Sequence, residues 1–140
     1  MNNRKISSGI LFVCLDDSTV LLLKRSDSVK NPRKWGIPGG KQEDKDESTL
    51  DTAKRESKEE LSSLPRNKKQ IGSHIIYRNK NPYEIFIYII SKIEKEKWSP
   101  KIKLDDENEK YKWFSVNKLP KNQHFNLNWI KDKVKAMLKK

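Results

Sequence analysis

The segment Gly39-Gly40-Lys41-Gln42-Glu43-Asp44-Lys45-Asp46-Glu47-Ser48-Thr49-Leu50-Asp51-Thr52-Ala53-Lys54-Arg55-Glu56-Ser57-Lys58-Glu59-Glu60-Leu61-Ser62-Ser63 organises the reading of this chain. It begins with two glycines and a lysine and runs into a predicted helix. Ser48 is a good N-cap, and Asp51 three residues on resembles a capping box with the shorter acid. Leu50, Ala53, Leu61 and Leu64 share one stripe at helical spacing, with Ser57 the gap in it, and Pro65 lies just past the end. Glu56, Glu59 and Glu60 stand at i, i+3 and i+4, so they crowd one face. Like charges at that spacing repel by roughly 0.2–0.5 kcal/mol per pair. Something must offset this, and a bound divalent cation would, since hard cations take carboxylate oxygens. A solvated acidic face is the plainer alternative. The upstream glycines favour the cation: Gly39 and Gly40 let the backbone approach a metal or phosphate closely, and Lys41 adds positive charge at phosphate reach. Acidic cluster, glycine turn and lysine together are the equipment of Mg²⁺-dependent phosphate chemistry.

Working outward, residues 8–15 form a near-continuous apolar run, as in a strand buried on both faces. Asp16-Asp17-Ser18 is turn chemistry, and Val20 to Leu23 gives a second strand ending in Lys24-Arg25. Ser26 to Trp35 reads as a polar, basic loop, and 36–41 as too rich in Gly and Pro for regular structure. Beyond the helix, Gln70–Arg78 and Tyr83–Ile90 read as strands joined by a turn at Asn79-Lys80-Asn81-Pro82. Glu94 to Asn108 reads as a charged loop, Tyr111–Val116 as a short strand, and Leu127, Ile130, Val134, Met137 and Leu138 as the apolar face of a last helix. This order predicts an α/β (α+β) fold in a single domain over 1–140.

The chain carries 31 Lys+Arg against 19 Asp+Glu, a formal net charge of +12. That field attracts polyanions, whether nucleotides, nucleic acid or anionic membrane surfaces. Lys is spread along the whole chain beside abundant Asn and Ile, so an AT-rich coding composition explains the charge equally well. The single cysteine, Cys14, excludes an internal disulfide and sits in an apolar run as a buried core residue. No charged leader and no apolar stretch near 18 residues is found, so no membrane association and a cytoplasmic location are expected.

The Gly40–Ser63 stretch resembles the Nudix box, G-x5-E-x7-R-E-U-x-E-E-x-G-U with U a bulky aliphatic residue. Here Gly40 is followed after six residues by Glu47, and after seven more by Arg55-Glu56-Ser57-Lys58-Glu59-Glu60-Leu61-Ser62-Ser63. Every charged position is filled. Trp35 to Lys41 resembles the usual lead-in, and Trp113-Phe114 with Leu119-Pro120 the closing strand. The departures are one extra loop residue, Ser57 for an aliphatic residue, and Ser62-Ser63 for the Gly and the last aliphatic. A Gly there would ease a left-handed exit from the helix; Ser makes it harder, with Leu64 available for the missing apolar contact.

The resemblance implies a Nudix-like α/β/α sandwich around a central mixed sheet, and a MutT-like metal-dependent pyrophosphohydrolase. It implies that Glu56, Glu59 and Glu60, assisted by the Gly39 carbonyl, hold Mg²⁺ or Mn²⁺, and that Glu47 and Arg55 pair to tie loop to helix. The general base is open between Glu107, with Glu109 close behind, and Glu59 or Glu60. Arg25, Gly40 and Lys41 are the expected substrate contacts, and no function is expected of His74 or His124. Metal-assisted substitution at phosphorus would follow, with a carboxylate as proton acceptor.

Substrate signatures outside the box are sparse. Tyr77 and Tyr83 bracket the position of the dinucleoside polyphosphate hydrolase tyrosine, and Pro82 falls late for the ADP-ribose hydrolase proline. By elimination the MutT group remains, acting on (deoxy)nucleoside triphosphates, oxidised ones included. The alternatives are an mRNA-cap or dinucleoside polyphosphate hydrolase, whose basic surface would hold RNA weakly through its phosphates, and a catalytically inactive nucleotide-binding domain. Homodimers are common in the family, but no stretch specifies one here.

Overall fold

The computed structural model describes residues 6–138. Strand β1 (Ser7–Cys14) is buried on both sides of the sheet because its side chains alternate between two apolar layers. Ile10, Phe12 and Cys14 face one layer, and Leu11 and Val13 the other. β2 (Thr19–Arg25) returns antiparallel to β1, but the two pair only at Val13–Val20 and Cys14–Thr19 before diverging. Two short strands fill the gap: β3 (Trp35–Gly36) on β2 and β4 (Gly39–Lys41) on β1. The segment 36–41, expected to be irregular, therefore carries strand pairing on both its arms. Its Gly and Pro content limits the strands to two and three residues but does not prevent them.

On the other edge of β1, β6 (Asn81–Ile90) runs parallel, and β5 (Lys69–Arg78) forms a hairpin with it as the edge strand. Asn79 and Lys80 make the tight turn at φ 50° and 70°. Asn81 and Pro82, expected in that turn, already belong to β6. β7 (Asn108–Ser115) pairs antiparallel with β2 along its length, so the parallel β1–β6 pair sits in an otherwise antiparallel, mixed sheet.

Helix α1 (Thr49–Leu61) covers one face, its N-terminus fixed by Ser8 Oγ donating to the Thr49 carbonyl at 2.7 Å. Ser48 caps it, accepting from the Asp51 amide at 3.1 Å. Ser62 leaves the helix at φ 68°, the left-handed exit a Gly makes easy, and Leu64 packs against the core beside it. The expected loop 94–108 is instead largely ordered structure: α2 (Lys92–Trp98) and a 3-10 turn at Ser99–Lys101. Ser91 caps α2 by accepting from the Glu94 amide at 3.0 Å, and Trp98 is buried against Phe12. Helix α3 (Trp129–Leu138) covers the opposite face through Ile130 and Val134. The result is a helix/sheet/helix sandwich. Among the described residues no helix is long and apolar enough to cross a membrane.

Candidate functional site

The gap between β1 and β2 positions the site. Where the strands diverge, β4 brings Gly39 and Gly40 over the second half of α1. Gly39 cannot be anything larger: a Cβ there would collide with the Tyr83 hydroxyl and lie 2.5 Å from the Ser8 carbonyl oxygen. At Gly40 a Cβ would come within 2.5–2.7 Å of the Glu56 carboxylate. Both glycines thus serve close packing between the loop and an acid-bearing helix.

Glu60 is buried, with only 5% of its surface exposed. Its carboxylate accepts from the Gly39 amide at 2.7 Å and from Asn108 Nδ2 at 3.1 Å. Burial pushes its pKa up to about 8, with the charges of Asp105 and Glu56 adding to the rise and the two hydrogen bonds opposing it. Glu60, Asp105 and Glu107 offer carboxylate oxygens all within 4.8 Å of one another. Asp105 also accepts from Asn108 Nδ2 at 3.2 Å, so Asn108 ties the cluster together.

The helix carboxylates are arranged differently from the expectation. Among the described residues, Glu56 and Glu59 do not join Glu60 in such a cluster. Both turn to Arg55, whose Nη1 lies 3.1 Å from Glu56 and 3.3 Å from Glu59. Arg55 therefore offsets part of the repulsion among the helix carboxylates. Glu56 still lies under Gly40, and its pKa is raised by burial despite Arg55. Glu59 is exposed.

The expected Glu47–Arg55 pair is corrected. Arg55 takes Asp46 as a forked partner, Nε to Oδ1 at 3.0 Å and Nη2 to Oδ2 at 2.9 Å, and donates to the Lys41 carbonyl at 3.2 Å. Glu47 is exposed and joins no ion pair among the described residues. The reason is the extra loop residue, which brings Asp46 to the sixth position after Gly40, where the family pattern has its glutamate. Arg55 holds the Asp46 carboxyl far below the usual carboxylate range.

Gly39, Gly40, Lys41, Glu60, Glu107, Asn108 and Arg25 line one cleft. Arg25 closes β2 there, its Nε donating to the Lys30 carbonyl at 2.8 Å. The Gly39 amide faces Glu60, so the contact seen there is through its N–H. Glu109, the second candidate base, is exposed and does not line the cleft.

Four further lining residues were not anticipated as part of the site: Arg78, Tyr83, His124 and Phe125. Arg78 closes β5 as Arg25 closes β2, so the same signal, a cation ending a strand, could have found it. Asp105 stands two residues before Glu107 in the acidic run, and spacing alone could not single it out. His124 lacks a sequence signal; the backbone places it, its amide donating to the Trp35 carbonyl at 2.8 Å. His74 stays outside the cleft, stacked on Trp129 at 4.0 Å.

The fold is similar to that of the MutT protein from Methanosarcina mazei Go1, at 22% identity and a TM-score of 0.68, covering 97% of this chain and 96% of that one. It is similar to a C. elegans Ap4A hydrolase in a binary complex, at 18% identity and a TM-score of 0.68, covering 97% and 98%. It also resembles the NUDIX domain of Shewanella oneidensis NrtR complexed with ADP ribose, at 18% identity and a TM-score of 0.64, covering 99% and 90%. No curated protein matches the chain at a significant level. A model of the NUDIX domain matches residues 3–137, nearly the whole chain, and the protein therefore belongs to the Nudix pyrophosphohydrolase family.

Proposed function

We propose that this protein cleaves the phosphoric anhydride bond of nucleoside triphosphates, deoxy and oxidised forms included, to a monophosphate and pyrophosphate. The observation that carries this reading is one cleft lined both by carboxylates and by arginines that join no ion pair among the described residues. Glu60, Asp105 and Glu107 converge beside Gly39–Gly40, and Arg25, Lys41 and Arg78 line the same cavity.

The donor set fits a hard divalent cation, Mg²⁺ or Mn²⁺, because three carboxylate oxygens lie close enough to share one. Bound there, such an ion neutralises phosphate oxygens and acidifies an attacking water. The protein's own groups do the rest. Arg25 and Lys41 hold phosphate oxygens, with Gly40 beside them in the cleft lining. Glu107, exposed at the cleft rim beside Glu60, accepts the proton of the attacking water. Glu60 suits that role less well, since its carboxylate is already engaged by Gly39 and Asn108. Glu59 is turned to Arg55.

The test is product analysis after incubation with Mg²⁺ or Mn²⁺ and a panel of (d)NTPs, 8-oxo-dGTP, ADP-ribose, diadenosine polyphosphates and capped RNA. Monophosphate and pyrophosphate from a triphosphate, lost in Glu60→Gln, is the expected result. Turnover confined to another member would replace the substrate, and binding without turnover would indicate an inactive nucleotide-binding domain.

A further inference from the structure

The cleft lining holds a third cation, Arg78, besides Arg25 and Lys41. Arg78 lies with its guanidinium carbon 5.5 Å from the Tyr83 ring centroid and 5.2 Å from that of Phe125. Its Nη2 is 3.4 Å from His124 Nε2. Neither Arg78 nor Arg25 is in an ion pair among the described residues. Both line the cleft, as does Lys41.

We propose that Arg78 is a specificity-determining residue that, with Arg25, binds a phosphoryl group of the substrate away from the bond being cut. This rests on the hydrolase reading above and adds Arg78 to the residues that select its triphosphate. Half-buried cations without acid partners are costly unless the ligand brings the counter-charge. A neutral sugar or nucleobase would leave them uncompensated; a phosphoryl group accepts from a guanidinium edge at two points. Tyr83 and Phe125 pack around the planar group and His124 meets one Nη, while Arg78 also lines the cleft, so N–H groups not engaged by His124 remain to donate to a ligand.

His124 acts as a positioning residue. Arginine has no lone pair to offer, so the Arg78–His124 bond requires His124 Nε2 to accept, which fixes the neutral tautomer with its proton on Nδ1. The surroundings agree: burial, then the charges of Arg25, Arg78 and Lys34, hold its pKa down to about 4.

Inorganic tripolyphosphate is the probe, because it carries the phosphate chain without base or sugar, and removal of metal by chelator prevents its turnover. Binding is measured by calorimetry in excess chelator, so the carboxylate end contributes nothing favourable. The native protein binds; Arg78→Gln weakens binding roughly tenfold or more, as loss of a charge-assisted contact does, and Arg78→Lys recovers part of it. Should Arg78→Gln fail to fold, Arg25→Gln carries the same test, since Arg25 packs on neither ring. In turnover, Arg78→Gln raises KM for a triphosphate and leaves kcat within a small factor. Equal tripolyphosphate affinity in native and variant proteins, or no binding by the native protein, overturns the proposal. Tripolyphosphate binding that depends on Arg78 without turnover of any nucleotide keeps this subsite and removes the hydrolase reading.

Discussion

At the scale of single residues, Glu60 concentrates the chemistry. A carboxylic acid held at a pKa of about 8 by burial binds a proton in the folded state that the unfolded chain, with an ordinary glutamate, has released. Native protein therefore binds more protons between the two values, so in the absence of metal its stability falls as pH rises from about 4.3 to 8. Chemical denaturation of native and Glu60→Gln proteins in chelator across this range should show a difference that grows with pH in favour of the variant. A pH-independent difference would place the charge elsewhere. A divalent cation must displace the same proton, so Mg²⁺ affinity should rise with pH and level off near 8.

Asp46 behaves oppositely. Its carboxyl is depressed by Arg55, so its contribution is present above the unfolded carboxylate range and is lost as pH falls. Asp46→Asn should lower Tm at neutral pH, while Glu47→Gln should leave it unchanged; the reverse order would restore the pairing expected from the motif. Ser57 shows the cost of a motif departure. Its hydroxyl is fully buried with no hydrogen-bond partner among the described residues. Ser57→Ala should stabilise the protein by about 1 kcal/mol in urea melts, the scale of an unmet buried donor.

At the scale of elements, legibility followed periodicity. β1, β2, the β5–β6 hairpin, α1 and α3 were all visible because burial on one or both faces writes apolar residues at a fixed repeat. α2 was missed because it is short and lysine-rich, buries chiefly Trp98 and Glu94, and has too few turns for a repeat to register. The signal present was its start: Ser91-Lys92-Ile93-Glu94 has the spacing of a capping box, and Ser91 does cap it. Glu94 does not complete the box, since its carboxylate instead accepts from the Arg66 amide at 2.8 Å and Asn67 at 3.2 Å. Trp98→Ala should cost roughly 3–5 kcal/mol, the usual range for a buried aromatic. A loss under about 1 kcal/mol would mean that α2 is peripheral to the core. In the site, α1 and the glycine turn were legible as a local motif. Arg78, Asp105 and His124 were not, because the sheet and the loop packed on β3 bring them together from distant parts of the chain.

At the scale of the whole molecule, the net charge of +12 had two readings, composition and function. The cleft gives it a local sense, with arginines facing inward, but most lysines lie elsewhere. If the overall field steers anionic substrates, kcat/KM should fall with added salt while kcat holds, because screening acts on encounter. A flat salt response would assign the surface charge to composition and leave only the cleft arginines with a role. The carboxylates gathered around Glu60 and the arginines that share their cleft form a working pyrophosphohydrolase site on this account. The most direct measurement is chromatographic product analysis with nucleoside triphosphates and Mg²⁺, native protein beside Glu60→Gln. Monophosphate and pyrophosphate formed by the native protein and abolished in the variant is the predicted result. Turnover that survives Glu60→Gln, or none by a native protein that binds the nucleotide, would contradict it.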